Sequence, residues 1–263
     1  MDLELAGKAA IVGGASRGIG NAVALGLARE GCRVAICARG SEALEAAAQE
    51  IRSATGVDAF AIACDMSDAG DIERFVAQAA ESLGGIDIVV NNAGGPPPGL
   101  FEQHDEAAWQ AALNQNFLSV ARTVRAALPH LRASEAGRIV NITSVAVKEP
   151  IPGLMLSNAA RLAVVGLAKT LSRELGPDGI TVNNVCPGLT LTGRMRELYG
   201  ARAQAEGRSL DEVLAEEAQR IPLRRLAEAG DVAALVVFLA SGPARQITGT
   251  TIQVDGGSTA SAM

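Results

Sequence analysis

The stretch Ala9-Ala10-Ile11-Val12-Gly13-Gly14-Ala15-Ser16-Arg17-Gly18-Ile19-Gly20 passes from an apolar run through a glycine-rich turn into a helical pattern. Gly14, Gly18 and Gly20 can take backbone angles closed to residues with a Cβ. Main-chain N–H groups and the positive end of the following helix can therefore approach a pyrophosphate. Ser16, Arg17 and Ile19 fill the intervening positions and join the candidate phosphate contacts. The spacing is G-x-x-x-G-x-G, not the G-x-G-x-x-G of the standard dinucleotide fingerprint. A glycine turn alone is also compatible with a tight turn of no further purpose. The flanks favour the phosphate reading, because the apolar run before the turn and the amphipathic Asn21-Ala22-Val23-Ala24-Leu25-Gly26-Leu27-Ala28 after it compose a βα unit.

Working outward, short β-branched runs recur at 9–12, 33–37, 58–63, 86–90, 138–142, 181–185 and 251–254. Most are apolar on both faces, which suits parallel strands covered by helices. Between them lie helical patterns such as 42–53 and 71–83, with apolar residues three and four apart and charges opposite. The alternation predicts a single doubly wound α/β parallel sheet of about seven strands with helices on both faces. Ligands of such sheets sit beyond the carboxyl ends of the strands, where the crossovers change direction.

The 263 residues carry no proline-rich, serine-rich or charged linker, so 1–263 reads as one domain. Net charge is −6 with basic residues scattered among acids, which argues against a nucleic-acid partner. The acidic start Met1-Asp2-Leu3-Glu4-Leu5 and the absence of a long apolar run predict a soluble, cytoplasmic protein without a membrane partner. Cys32, Cys37, Cys64 and Cys186 lack metal-ligand spacing and read as reduced, buried, small hydrophobes.

The strand ends hold the remaining cofactor candidates. After the second run, Ala38 leaves no acid to bind a ribose 2′-hydroxyl, while Arg39, Ser41 and Arg17 offer positive charge and a donor for a 2′-phosphate. This favours NADP over NAD; the alternative is that both arginines are solvated surface charges. After the third run, Asp65 can face an adenine amino group with Met66 beside it, whereas Ser67 or Asp68 can cap a helix. After the fourth, Asn92, Ala93 and Gly94 combine small side chains with an amide donor and can close against the cofactor.

Together these segments resemble the short-chain dehydrogenase/reductase family over nearly the whole chain. The resemblance rests on Gly14-x-x-x-Gly18-x-Gly20, Asn91-Asn92-Ala93-Gly94, Pro187-Gly188, and Ile247-Thr248-Gly249 through Val254-Asp255-Gly256-Gly257. The segment Ile221-Pro222-Leu223-Arg224-Arg225-Leu226 looks like that of 3-oxoacyl-acyl-carrier-protein reductases. The resemblance implies a Rossmann-type fold, a homotetramer pairing helices 107–128 and 156–175, and a substrate lid at 193–222. It also implies that Pro187, Gly188, Thr190 and Thr192 border the nicotinamide, with Thr192 a candidate for its carboxamide.

The family's catalytic tetrad is Asn, Ser, Tyr and Lys. Asn116 and Ser144 fall where its first two members belong, but Ser157 and Arg161 stand at the tyrosine and lysine positions. A serine hydroxyl is a far weaker acid than a phenol, and arginine cannot take lysine's part in a proton relay. Three substitutes for the missing donor are open: a water ordered by Ser157 and Asn116, oxyanion stabilisation by Arg161, or Tyr199 swinging in with the lid. Ser157 can also be a simple helix N-cap, with Arg161 exposed on the first turn, and Asn116 a buried amide bridging a helix irregularity. The expected function is NADP-dependent hydride transfer between a carbonyl, 3-oxoacyl-like or another ketone, and its secondary alcohol. A catalytically impaired NADP-binding protein is the alternative. The apolar 95–100 segment with Met195 and Leu198 favours an uncharged or acyl-type substrate over a small acid.

Overall fold

The computed structural model describes residues 1–261. In chain order its main elements are β1 (Ala9–Val12), α1 (Gly18–Arg29), β2 (Arg33–Ala38), α2 (Ser41–Thr55), β3 (Ala59–Ala63), α3 (Ala69–Leu83) and β4 (Ile88–Asn91). There follow α4 (Glu106–Leu113), α5 (Ser119–Ala133), β5 (Arg138–Ile142), α6 (Met155–Glu174), β6 (Thr181–Pro187) and β7 (Thr190–Leu191). The chain ends through α7 (Gly193–Glu206), α8 (Leu210–Arg220), β8 (Ala227–Glu228), α9 (Ala229–Ala240) and β9 (Thr251–Val254). Seven strands form one parallel sheet in the order β3-β2-β1-β4-β5-β6-β9, and β7 pairs separately with β8. Every expected strand is present. The fourth begins at Ile88, two residues later than the apolar run, and just before it the Asp87 carboxylate accepts from Ala9 N–H at 2.8 Å.

Strand residues alternate between two apolar layers. Ala10, Val12, Val34, Ile36 and Val90 pack with Val23 and Leu27 of α1, Leu44 and Ile51 of α2, and Val232 and Val236 of α9. Ile11, Ala35, Val89 and Ile139 point the other way, onto Ile72 and Phe75 of α3, Leu131 of α5 and Val164 of α6. A sheet buried on both faces needs such near-continuous apolar strands, each fully buried large side chain contributing about 1.5–3 kcal/mol. All four cysteines are buried and free. Among the described residues no helix is long and apolar enough to cross a membrane.

Helix boundaries place the chemistry. Asp68, not Ser67, caps α3 by accepting from Asp71 N. The expected long helix 107–128 is interrupted: a π-helical turn, Asn114–Leu118, separates α4 from α5 and carries Asn116. One extra residue in that turn aims its side chain off the regular helix face, as π-bulges commonly do at functional sites. Leu154 is the N-cap of α6, so Ser157 lies inside the helix and is buried; the N-cap reading of Ser157 does not hold.

Candidate active site

The glycine turn is closed as its residues demand. Gly14 and Gly18 have φ of 58° and 64°, in the left-handed region. A Cβ on Gly20 would come within 2.4 Å of the Gly14 carbonyl oxygen. Asn92 Nδ2 donates to the carbonyls of Gly13 and Gly14 at 3.1 and 3.2 Å, tying the end of β4 to the turn. Helix α1 starts with no side-chain cap at Arg17 and no acid in its first turn, so its leading N–H groups face outward for an anion.

This turn borders a groove of about 470 Å³ at the switch point between β1 and β4. Arg17, Arg39, Asp65 and Met66 line it, together with Ser16 and Ile19. Asp65 Oδ1 accepts from Ser67 N and Ser67 Oγ at 2.9 and 2.8 Å, which fixes its carboxylate within its own turn. Arg17 pairs with Glu197 at 3.5 Å, but both side chains are largely exposed and the pair adds little stability. Ser41 begins α2 as an exposed residue and does not border the groove.

Beyond β4, four successive carbonyls each accept a side-chain N–H. Arg161 Nη2 donates to Ala93 O (3.3 Å) and Asn116 Nδ2 to Gly94 O (2.8 Å). Arg194 Nη1 donates to Gly95 O (3.0 Å) and Arg194 Nη2 to Pro96 O (3.4 Å). Arg161 is not on an exposed turn. Its guanidinium also donates through Nη1 to Ile142 O and Thr143 O, both at 3.1 Å, and through Nε to Ser157 Oγ at 3.2 Å. Burial, then the charge of Arg194, pushes the Arg161 pKa down to about 10, so it remains cationic at neutral pH. Ser144, in extended backbone just past β5, accepts from Ala146 N at 3.2 Å and keeps its hydroxyl hydrogen free to donate.

Asn116 does bridge a helix irregularity, yet its Oδ1 is buried with no hydrogen-bond partner among the described residues, as is Asn91 Oδ1. Both residues and Arg161 line a cavity of about 10 Å³, the size of one water, which Ser157 does not border. A water held jointly by Ser157 and Asn116 is therefore not what the packing favours. Asn91 heads an amide ladder across the sheet: Asn91 Nδ2 donates to Asn141 Oδ1, Asn141 Nδ2 to Asn184 Oδ1, and Asn184 Nδ2 to Thr251 Oγ1. Such a chain of buried amides, satisfied except at Asn91 Oδ1, holds strand register in the core.

Thr192 caps α7 by accepting from Met195 N, and its methyl would lie 3.4 Å from a Cβ on Gly18, so α7 begins directly over the glycine turn. Thr192 lines the groove; Pro187, Gly188 and Thr190 do not. Gly188 is pressed against Asp255, and the buried Thr190 hydroxyl donates to Gly188 O, so these residues shape the turn that delivers Thr192. Tyr199 lies outside the groove lining, as do Ser144, Ser157 and Arg161, but unlike them it sits on α7, and burial and Glu217 raise its pKa, making it a poorer acid. Gly95, from the expected pocket wall, also lines the groove, as do Gln115 and Arg194, which the sequence did not single out. For Arg194 the usable signal was a cation two residues beyond Thr192.

A family model described as enoyl-(acyl carrier protein) reductase matches residues 14–259. The 3-oxoacyl-[acyl-carrier-protein] reductase of Staphylococcus aureus is 38% identical over 251 residues, covering 95% of this chain and 97% of that protein. The L-sorbose reductase of Gluconobacter frateurii, solved with NADPH and L-sorbose, superposes with a TM-score of 0.95 at 31% identity, covering 98% of each chain. A short-chain oxidoreductase of Pseudomonas aeruginosa PAO1, solved with NADPH and described as containing an atypical catalytic center, has a TM-score of 0.89 at 35% identity, covering 98% of this chain and 99% of that one. With its sheet order, glycine turn and these relatives in agreement, the chain belongs to the short-chain dehydrogenase/reductase family.

Proposed function

We propose that this chain is an NADP-dependent oxidoreductase that interconverts a ketone, 3-oxoacyl-like or other, with its secondary alcohol. The observation that carries the reading is one groove lined by the glycine turn, Arg17 and Arg39, whose lining residue Ala93 is held by Arg161. The residues fit NADP: no acid follows β2, the uncapped α1 faces the phosphates, and a Cβ would fill the cradle at Gly20. NADPH, when bound, supplies the hydride. The relatives solved with NADPH support the same choice of cofactor.

Ser144 orients the substrate oxygen with its free hydroxyl hydrogen. Ser157 is the proton or hydrogen-bond donor in place of tyrosine: its oxygen accepts from Arg161 Nε, which leaves the hydroxyl hydrogen to point elsewhere. Arg161 acts through Ser157 and does not touch the oxyanion, because four of its five N–H groups serve protein acceptors. A polarised serine is a weaker acid than a phenol, so this enzyme gives up part of the ~10²–10⁴-fold that general acid–base catalysis supplies. The same engagement of Arg161 favours a second reading, a nucleotide-binding protein without turnover. Assembly as a homotetramer belongs to the proposal and rests on the family resemblance, with the exposed Leu162 of α6 a residue such an interface would cover.

The test follows loss of NADPH absorbance with ketones and 3-oxoacyl thioesters, alongside NADPH and NADH affinities by fluorescence. Turnover that Ser144→Ala abolishes supports the enzyme. Tight NADPH binding with no reduction across the panel, and no effect of Ser144→Ala, selects the second reading.

A further inference from the structure

Hydride transfer and cofactor binding as described leave one groove residue without a task. Arg194 stands on the first turn of α7, two residues after the cap Thr192, and lines the groove beside Gly94, Gly95 and Gln115. It stands next to the carbonyls that Arg161 and Asn116 hold. Only two of its five N–H groups are engaged, both by neutral main-chain carbonyls, Gly95 O and Pro96 O. Among the described residues no carboxylate pairs with Arg161 or Arg194, although the nearby lid helices are crowded with Arg–Glu pairs. The two guanidiniums feel each other, since the charge of Arg194 helps depress the pKa of Arg161.

An exposed guanidinium fork resting on neutral acceptors is primed for exchange. Carboxylate presents two parallel acceptors that match the fork, and charge-assisted hydrogen bonds of this kind are roughly twice as strong as neutral ones. An anion at this point would also relieve the repulsion with Arg161.

We propose that Arg194 binds a carboxylate on the carbonyl substrate, so that the substrate class is an oxo acid and not a neutral ketone. This rests on the reading of the groove as that of an NADP-dependent carbonyl reductase. It also replaces the expectation of an uncharged substrate drawn from the apolar 95–100 segment, since the Arg194 guanidinium is held against Gly95 and Pro96 of that very segment. In the loaded protein the carboxylate would replace Gly95 O and Pro96 O as the acceptor of the Arg194 guanidinium.

Calorimetric titration of the full chain saturated with NADP⁺ tests this, using 4-oxopentanoate and its methyl ester, which share a ketone and differ by one charge. The acid is expected to bind about 10-fold more tightly than the ester, the size of one charge-assisted contact. Arg194→Gln should erase that preference while NADP⁺ affinity stays within about 2-fold, and Arg194→Lys should restore part of it. Equal binding of acid and ester, no binding of either, or a preference that survives Arg194→Gln overturns the proposal. So does a large loss of NADP⁺ affinity in Arg194→Gln without loss of the acid preference, which would assign the residue to a cofactor phosphate. Failure of the unaltered protein to bind NADP⁺ at all would instead remove the reading beneath it.

Discussion

Arg161 Nε donates to Ser157 Oγ across 3.2 Å, one helical turn along the inward face of α6. That bond occupies the serine oxygen as an acceptor and leaves its hydrogen to donate. The arginine is anchored in turn by Ile142 O, Thr143 O and Ala93 O, so the pair is held by the ends of β4 and β5.

Ser157→Ala removes the donor and leaves the cofactor groove intact. We expect kcat to fall by about 10²-fold, at the lower end of what general acid–base catalysis contributes, with NADPH affinity unchanged. Steady-state kinetics with a fluorescence titration read both quantities, and an unaltered kcat would show that the proton comes from elsewhere.

The pH profile should differ from that of an enzyme relying on a titrating phenol. Arg161 stays protonated up to about 10, so kcat/KM for reduction is expected to be flat between about pH 6 and 9 and to decline as the pH passes about 10. The sign for stability is opposite. The folded-state pKa is lowered, so burying the charge costs stability at every pH below about 10, and the cost is relieved as pH rises from there toward the ordinary arginine range. Urea unfolding of the unaltered protein and Arg161→Met at neutral and alkaline pH would reveal that trend.

Arg39 decides between the two dinucleotides. Arg39→Ala should weaken NADPH binding by about 10-fold, a modest figure because the side chain is exposed, and leave NADH binding within about 2-fold. Parallel weakening of both would mean that Arg39 does not meet a 2′-phosphate.

Gly20 tolerates no side chain. In Gly20→Ala the new Cβ meets the Gly14 carbonyl at 2.4 Å and Asn92 Nδ2 at 2.8 Å, so backbone must move. The overpacking should cost about 1–3 kcal/mol of stability in denaturant titration, with NADPH affinity falling as the turn opens.

Leu162 is 53% exposed on α6, an apolar residue facing outward from the active-site helix. Sedimentation should give about four times the 26.9 kDa chain mass, and Leu162→Arg should shift it to smaller species, because a charge in an apolar interface core is poorly solvated. An unchanged monomer mass in both proteins would refute assembly through this face.

The strands were legible because a sheet buried on both sides demands unbroken apolar runs, and β1, β5 and β9 begin and end where those runs do. The short pair β7 and β8 was not, since two-residue strands carry no period. Within the site, the glycine turn could be located from spacing alone, because what it does depends on backbone freedom near the residue itself. Ser144, Asn116, Ser157 and Arg161 could be placed by counting along motifs, but their roles could not.

Residue order thus established the βα alternation, the phosphate-binding turn, the arginines flanking it and the loss of the tyrosine–lysine pair, all of which follow from local chemistry and periodicity. Side-chain direction needed the folded chain. Arg161 turns inward because three carbonyls from two strand ends converge on it, Asn116 leaves its helix face because a π-turn rotates it, and Arg194 reaches across to Gly95 and Pro96 because Thr192 caps α7 directly over Gly18. Each of these contacts joins residues far apart in the chain, and no local pattern encodes where a long side chain finds its acceptors.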